Sequence, residues 1–243
     1  TPATSGLFTG GVRTESVVLT TSGTNRTITV DDGSGHIKTS NTFTVVKEPT
    51  AGVLTTAPNP STFEQSVTLK DSVSGSVPDG GKVYFKVDGS VIDSADINGS
   101  GVATVATSGI TAGSHSIGAF YGGTGSFDTS SSNTVAQTVN QATPTVTLTS
   151  SLNPSTFEQN VTFKAKVNNS SHTPTGSVTF YDGVTSLGNF ALTGDSAEVS
   201  TSGLTGGGHT IKAVYGGDGS FTSDSTTIVQ TVNRQFTVSS LTA

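Results

Sequence analysis

The sequence predicts an all-β chain of tandem Greek-key β-sandwiches, and three observations carry that expectation. The first is composition. Close to a third of the 243 residues are Ser or Thr, 30 are Gly, and 12% are charged. Leu, Glu and Lys are scarce beside Val, Thr and Gly, a vocabulary of strands and turns that excludes long helices as the main architecture. The second is an internal repeat. Asn59-Pro60-Ser61-Thr62-Phe63-Glu64-Gln65 returns 94 positions later as Asn153-Pro154-Ser155-Thr156-Phe157-Glu158-Gln159. Ala119-Phe120-Tyr121-Gly122-Gly123 answers Ala213-Val214-Tyr215-Gly216-Gly217 at the same offset, and Gln137-Thr138-Val139-Asn140 answers Gln230-Thr231-Val232-Asn233 at 93. Units of about 90 residues have the size of a seven-stranded sandwich. The third is period-two alternation between turn signals, the mark of strands with one buried face.

Each strand of the second unit can be placed in order. Val146 and Leu148 open it, and Val161, Phe163, Ala165 and Val167 alternate with Thr162, Lys164 and Lys166. Val178 and Phe180 mark the next strand, ended by Asp182-Gly183, a strong short-hairpin signal. Ala197 and Val199, then His209, Ile211, Ala213 and Tyr215, then Ile228 and Val232 supply the rest. The first unit repeats the pattern with Val67, Leu69 and Val73, and with Val83 and Phe85 before Asp88-Gly89. One conflict of parity stands out. Gln230 lies on the face of Ile228 and Val232, and Gln137 on that of Val135 and Val139, so a bulge or a bonded edge position is expected there.

The opening of the chain differs. Ser16–Thr20, Arg26–Asp31 and Ile37–Val46 read as three strands, too few to bury both faces of a sandwich. The expected organisation is a partial domain of closing strands at 1–48, sandwiches at 49–140 and 141–233, and a terminal strand or the start of a further domain at 234–243. In that last segment Phe236 and Val238 alternate with Gln235 and Thr237. Two readings of the ends stand. In one, the terminal strand completes the partial domain of another copy by strand addition, a contact that propagates into a fibre. In the other, the chain is an excerpt of a longer array.

Several motifs together resemble the bacterial Ig-like domain repeats found in tandem in secreted and cell-surface proteins: Asn153-Pro154-Ser155-Thr156-Phe157, Pro174-Thr175-Gly176-Ser177-Val178-Thr179-Phe180-Tyr181-Asp182-Gly183, Gly208-His209-Thr210-Ile211 and Ala213-Val214-Tyr215-Gly216-Gly217-Asp218. Both units share the resemblance, from Val53 to Asn233. Thr27–Gly33 with Ser40–Val45 resembles the last strands of a related surface-protein repeat. The resemblance implies an immunoglobulin-like sandwich serving as stalk, spacer or adhesive module, with no family-wide active site. Two departures stand out: Glu64 and Glu158 occupy a place where the family often has Gly, and Pro78-Asp79-Gly80-Gly81 replaces the Pro-Thr-Gly entry.

Chemistry finds little to build on. With 11 Lys and Arg against 17 Asp and Glu, the net charge is -6, and the basic residues are scattered. Nucleic acid is not an expected partner, because phosphate binding needs a concentrated basic face. The sequence lacks Cys, which removes thiolate ligands and thiol nucleophiles. Its apolar runs are far too short for a membrane-spanning helix. His115 and His209 correspond between the units and read as structural edge histidines, while His36 and His172 stand alone in polar loops. Asp31, Asp32, Asp182 and Asp218 lie in Gly-rich turns, where carboxylates could hold calcium or accept backbone hydrogen bonds. The second reading is favoured, since Asp218 answers to Thr124. Glu64 and Glu158 read as exposed turn residues. Tyr121 and Tyr215 could stack on sugar, yet better fit the aromatic that pins a sandwich corner through its hydroxyl.

Asn25, Asn98, Asn160, Asn168 and Asn169 each head an Asn-x-Ser/Thr sequence and are candidate glycosylation sites. No catalytic residue, metal or cofactor is expected. The expected function is that of an extracellular, non-catalytic structural protein at a microbial cell surface, with Ig-like beads forming a stalk, spacer or fibre. The alternative is an adhesin or carbohydrate-binding accessory module of a larger secreted protein. Expected partners are other copies or neighbouring Ig-like domains joined by strand addition, with surface glycans for the alternative reading.

Overall fold

The alternation of apolar and polar residues is realised as strands throughout. The structure is a computed structural model that describes residues 16–19, 21–31, 34–75, 80–168 and 172–234. It forms two compact units: Thr1–Thr55 with Leu69–Val105 and Ile117–Val135, and Thr56–Thr68 with Ala106–Ser116 and Ala136–Ala243. The second unit therefore holds the described part of the second repeat together with one end of the first.

The N-terminal strands are β1 (Gly23–Arg26), β2 (Thr29–Asp31), β3 (Ile37–Thr39) and β4 (Phe43–Val45). β1 pairs with β4 and β2 with β3, both antiparallel. The expected strand over 16–20 is not formed at Ser16–Leu19, and each of the two other expected strands is broken into two. The cause lies in the residues: almost all of these strands are exposed, so no buried face holds a long ladder together.

The first repeat contributes β5 (Ala51–Ala57), β6 (Ser61–Thr62), β7 (Val67–Ser74), β8 (Lys82–Val87), β9 (Ser90–Asp96), β10 (Val102–Thr107), β11 (Gly113–Tyr121), β12 (Ser130–Ser131) and β13 (Val135–Asn140). One sheet runs β10-β7-β5 and the other β6-β13-β11-β8-β9, with β12 beside β11. Val67, Leu69, Val83, Phe85, Ile117, Ala119 and Tyr121 are buried as their parity requires. Asp88 and Gly89, with φ of 50° and 84°, make the two-residue turn between β8 and β9.

The second repeat contributes β14 (Thr145–Ser150), β15 (Ser155–Thr156), β16 (Val161–Asn168), β17 (Ser177–Asp182), β18 (Thr185–Ala191), β19 (Ser196–Thr201), β20 (Gly207–Tyr215) and β21 (Asp224–Asn233). Its sheets are β14-β16-β19 and β15-β21-β20-β17-β18. Val161, Phe163, Ala165 and Val167 face Val178, Phe180, Ile211, Ala213 and Tyr215 in one dry core, and all are fully buried. Lys164 on the outer face pairs with Glu198 of the adjacent strand at 2.9 Å. The β17–β18 ladder matches its counterpart pair for pair and ends with Asp182 opposite Thr185, so its two-residue turn is Gly183-Val184 and Asp182 is the last strand residue.

In both repeats the first strand changes sheets, because Pro60 and Pro154 offer no N–H to continue a ladder. The short continuations β6 and β15 then pair in parallel with β13 and β21. This switch resolves the parity conflict without a bulge. The β20–β21 register is unbroken from Gly207–Val232 to Tyr215–Asp224, and Gln230 simply points inward. Its Nε2 donates to the carbonyls of Leu152 and Thr231 and to Ser155 Oγ, and its Oε1 accepts from Ser150 at 2.6 Å. The amide thus occupies polar groups that the switching strand would leave unpaired. Gln137 does the same for Pro58, Ser61 and Thr138. Thr56 stands in place of Ser150, and there Thr56 Oγ1 and Gln137 Oε1 are both buried without a partner.

Candidate functional site

The repeated Asn-Pro-Ser-Thr-Phe-Glu-Gln string builds the same loop twice. Asn59 clamps the last strand like a strand residue, donating to the Ala136 carbonyl at 2.7 Å and accepting from Thr138 N at 3.1 Å. Gln65 Oε1 accepts from Thr62 N, closing the turn. Asn153 and Gln159 repeat both bonds with Val229, Thr231 and Thr156. Glu64 and Glu158 carry φ of 70° and 65°, the left-handed region, which explains why glycine suits the place. The loop leaves Phe63 or Phe157 at its tip.

The opposite end of the second repeat is a rigid corner. Tyr215, buried at the end of β20, donates its hydroxyl to the Thr175 carbonyl at 2.8 Å. Burial, with the Asp218 carboxylate nearby, holds this phenol far above its ordinary pKa. Asp218 accepts four bonds: Thr175 N and Oγ1, Ser220 N and Phe221 N, at 2.8 to 2.9 Å. Burial works against its ionisation, and those donors outweigh it, so its pKa lies below the usual carboxylate value. Gly217, at φ +85°, could not carry a side chain, since a Cβ would stand 2.9 Å from the Phe221 carbonyl oxygen. Thr124 replaces Asp218 in the first repeat and accepts from Ser126 N and Phe127 N at 3.3 Å.

The linker seals this corner. Gln141 Nε2 donates to the Asp218 carbonyl at 2.7 Å, Ala142 N to Ser220 O, and Thr222 N returns a bond to Ala142 O. Lys47 and Glu48 do the same for the first repeat: Lys47 Nζ donates to Thr124 O, Glu48 N to Ser126 O, and Asp128 N to Glu48 O. Ser22 also donates to the Gly125 carbonyl of that corner.

Within the second unit, loop and corner meet. The Phe63 ring packs edge-on against Phe221, with centroids 5.3 Å apart and planes at 83°, and against His172 at 5.0 Å. His172 Nδ1 donates to Glu64 Oε1 at 2.9 Å. The result is a small aromatic core closed by a polar bond, which leaves Phe63 6% exposed. Sequence reading misses this site. Glu64 is not an exposed turn residue, its side chain being 13% exposed, and His172 is not solitary. No local signal could join residues 108 positions apart.

The other expected site residues fall elsewhere. His209 bonds with Nδ1 to Asp182 Oδ2 at 2.7 Å and with Nε2 to the Thr205 carbonyl at 2.8 Å. Two acceptors require both ring nitrogens to carry protons. Burial lowers the pKa, and those bonds and the Asp182 charge outweigh it, so the net shift is upward. A raised histidine pKa stabilises the fold fully below the ordinary imidazole value and is lost as pH rises through the folded-state value. Urea melts should therefore show the stability gap between the chain and His209→Gln narrowing from mildly acid to alkaline pH; a constant gap would refute the assignment. His115 Nε2 meets Thr111 O at 2.9 Å in the same position.

Tyr121 and Tyr215 are buried, so neither ring offers a platform for sugar. Asn25, Asn98 and Asn160 are exposed, and Asn168 is half-buried. Asn98 Oδ1 accepts from Ser100 N and Val102 N. Asn168 donates to the Thr145 carbonyl and to Thr147. Asp31 and His36 are exposed. Asp32, Pro78, Asp79, Asn169, Phe236 and Val238 lie outside the described residues. Among the described residues, no group of three or more His, Asp or Glu converges, and no helix is long and apolar enough to cross a membrane.

Sheet order, the sheet-switching first strand and the tyrosine corner define these units as immunoglobulin-like sandwiches. The chain belongs to the bacterial Ig-like domain family, group 3, whose model matches residues 54–140 and 148–233. No curated protein matches its sequence. Among solved structures it is similar to the fibronectin(III)-like modules of Clostridium thermocellum CbhA, at 16% identity and TM-score 0.33, covering 75% of this chain and 94% of that one. It is also similar to the Yersinia pseudotuberculosis adhesin InvE, at 14% identity and TM-score 0.38, over 74% of this chain and 58% of that one. The Escherichia coli adhesin FdeC, at 16% identity and TM-score 0.31, matches over 82% and 71%.

Proposed function

We propose that the chain is a non-catalytic structural element of an extracellular or cell-surface protein, in which Ig-like domains at 49–140 and 141–233 are coupled in series as a spacer. Residues 1–48 are the closing strands of a further such domain in this reading. The observation that carries it is the seating of Phe63 and Glu64 on Phe221 and His172. A spacer transmits position only if consecutive beads do not swivel freely, and a shared aromatic contact with a polar bond opposes swivelling. The corner's polar side chains are also consumed by backbone bonds, as the four donors to Asp218 illustrate. Their role is to fix the shape of the corner whose Asp218 and Ser220 carbonyls receive the linker.

The test pairs a glycan array and cell-binding assay with small-angle scattering of the chain. The expected result is no saturable binding, with a scattering profile fitted by a single fixed arrangement of beads. Saturable binding to a glycan would replace the spacer reading with that of an adhesive module.

A further inference from the structure

Phe63 and Phe157 occupy the same place in the repeated loop, yet Phe63 is 6% exposed and Phe157 is 40% exposed. The loops are built alike, by the same Asn clamp, the same Gln cap and a left-handed Glu. The difference comes from what covers the first copy: Phe221 and His172 of the following repeat. Holding a Phe on a backbone fixed by the two Asn153 bonds, the Gln159 cap and the left-handed Glu158 makes Phe157 a preorganised anchor, because little conformational freedom is left to lose on contact.

We propose that Phe157 and Glu158 form a docking surface for a further Ig-like domain, one that presents an aromatic ring at the place of Phe221 and a histidine or other N–H donor at the place of His172. The proposal rests on the reading of the repeats as beads in series. A second copy of this chain is not the occupant, since both of its corners are engaged. The second repeat's corner holds Phe63. The first repeat's corner carries Ser22 on its Gly125 carbonyl, in addition to the linker bonds that both corners share. The register of the linker agrees. Asn140-Gln141 leads out of the first repeat, and Asn233-Arg234 stands in the same place after the second.

The chain contains no Trp, so one indole reports one site. Phe157→Trp is made in the full chain and in the same chain extended by a further copy of residues 141–233 joined after Asn233. Phe63→Trp in the unextended chain is the buried reference. Acrylamide quenching should be several-fold stronger for Phe157→Trp than for the reference, and the extension should bring it down to the reference level. Adding Glu158→Ala to the extended chain should restore part of the quenching. Amide exchange over 156–159 in chains without the indole reads the same contact and should slow on extension. Unchanged quenching and unchanged exchange on extension overturn the proposal. So does protection of the unextended chain that grows with its concentration, which would make a second copy the occupant. Glycan binding by the unextended chain would defeat the spacer reading while leaving these quenching results to be judged separately.

Discussion

Phe180→Ala should destabilise the second repeat by about 3–5 kcal/mol, the range for deleting a fully enclosed ring from a core that cannot collapse to fill the space. Phe180 is fully buried on β17, directly opposite Ala213 of β20, and its ring meets Phe190 of β18 edge-on at 6.0 Å. Both sheets supply its surroundings, so relaxation of one strand cannot close the cavity. Chemical denaturation of the chain and the variant measures the change. A loss below about 1 kcal/mol would mean that the ring is not enclosed as described.

Asp71→Ala should raise stability at neutral pH by about 1–3 kcal/mol, the cost of a buried polar group without a partner. Asp71 sits on β7 at an inward position, 1% exposed, and no group donates to either carboxylate oxygen. Burial pushes its pKa above the ordinary carboxylate value. With a raised folded-state pKa, the folded form binds the proton more tightly, so the penalty is full above that value and shrinks as pH falls through it. The gain from Asp71→Ala should shrink in acid accordingly. The second repeat shows the alternative solution to the same space. Ala165 stands in place of Asp71, and Val146 stands in place of Gly52. A Cβ on Gly52 would lie 3.0 Å from Asp71 Oδ2, so the glycine makes room for the carboxyl. Gly52→Val combined with Asp71→Ala should therefore be more stable than Asp71→Ala alone. Destabilisation by both at neutral pH would show that the carboxyl has a partner.

Much of the site was hidden from sequence reasoning for a physical reason that Phe63 illustrates. The repeat places Phe63 and Phe157 at equal positions in equal loops, and nothing local distinguishes them. Only the arrival of Phe221 and His172 from another part of the chain buries one and leaves the other open. Gln137 and Gln230 illustrate a second limit. Alternation assigns them correctly to the inner face, but their partners are carbonyls freed by a strand that changes sheets, and a sheet switch is a tertiary event.

The sequence by itself determined the all-β class, the repeat, the inward residues of the two cores and the corner role of Tyr215. Each of these follows from local periodicity or from turn chemistry between residues whose spacing the repeat displays twice. The tertiary structure alone decided the fragmentation of the N-terminal strands, the unpaired burial of Asp71, the double bonding of His209 and the pairing of Glu64 with His172. These depend on which surfaces meet, and the free energy of a contact between distant residues leaves no periodic trace in either of them.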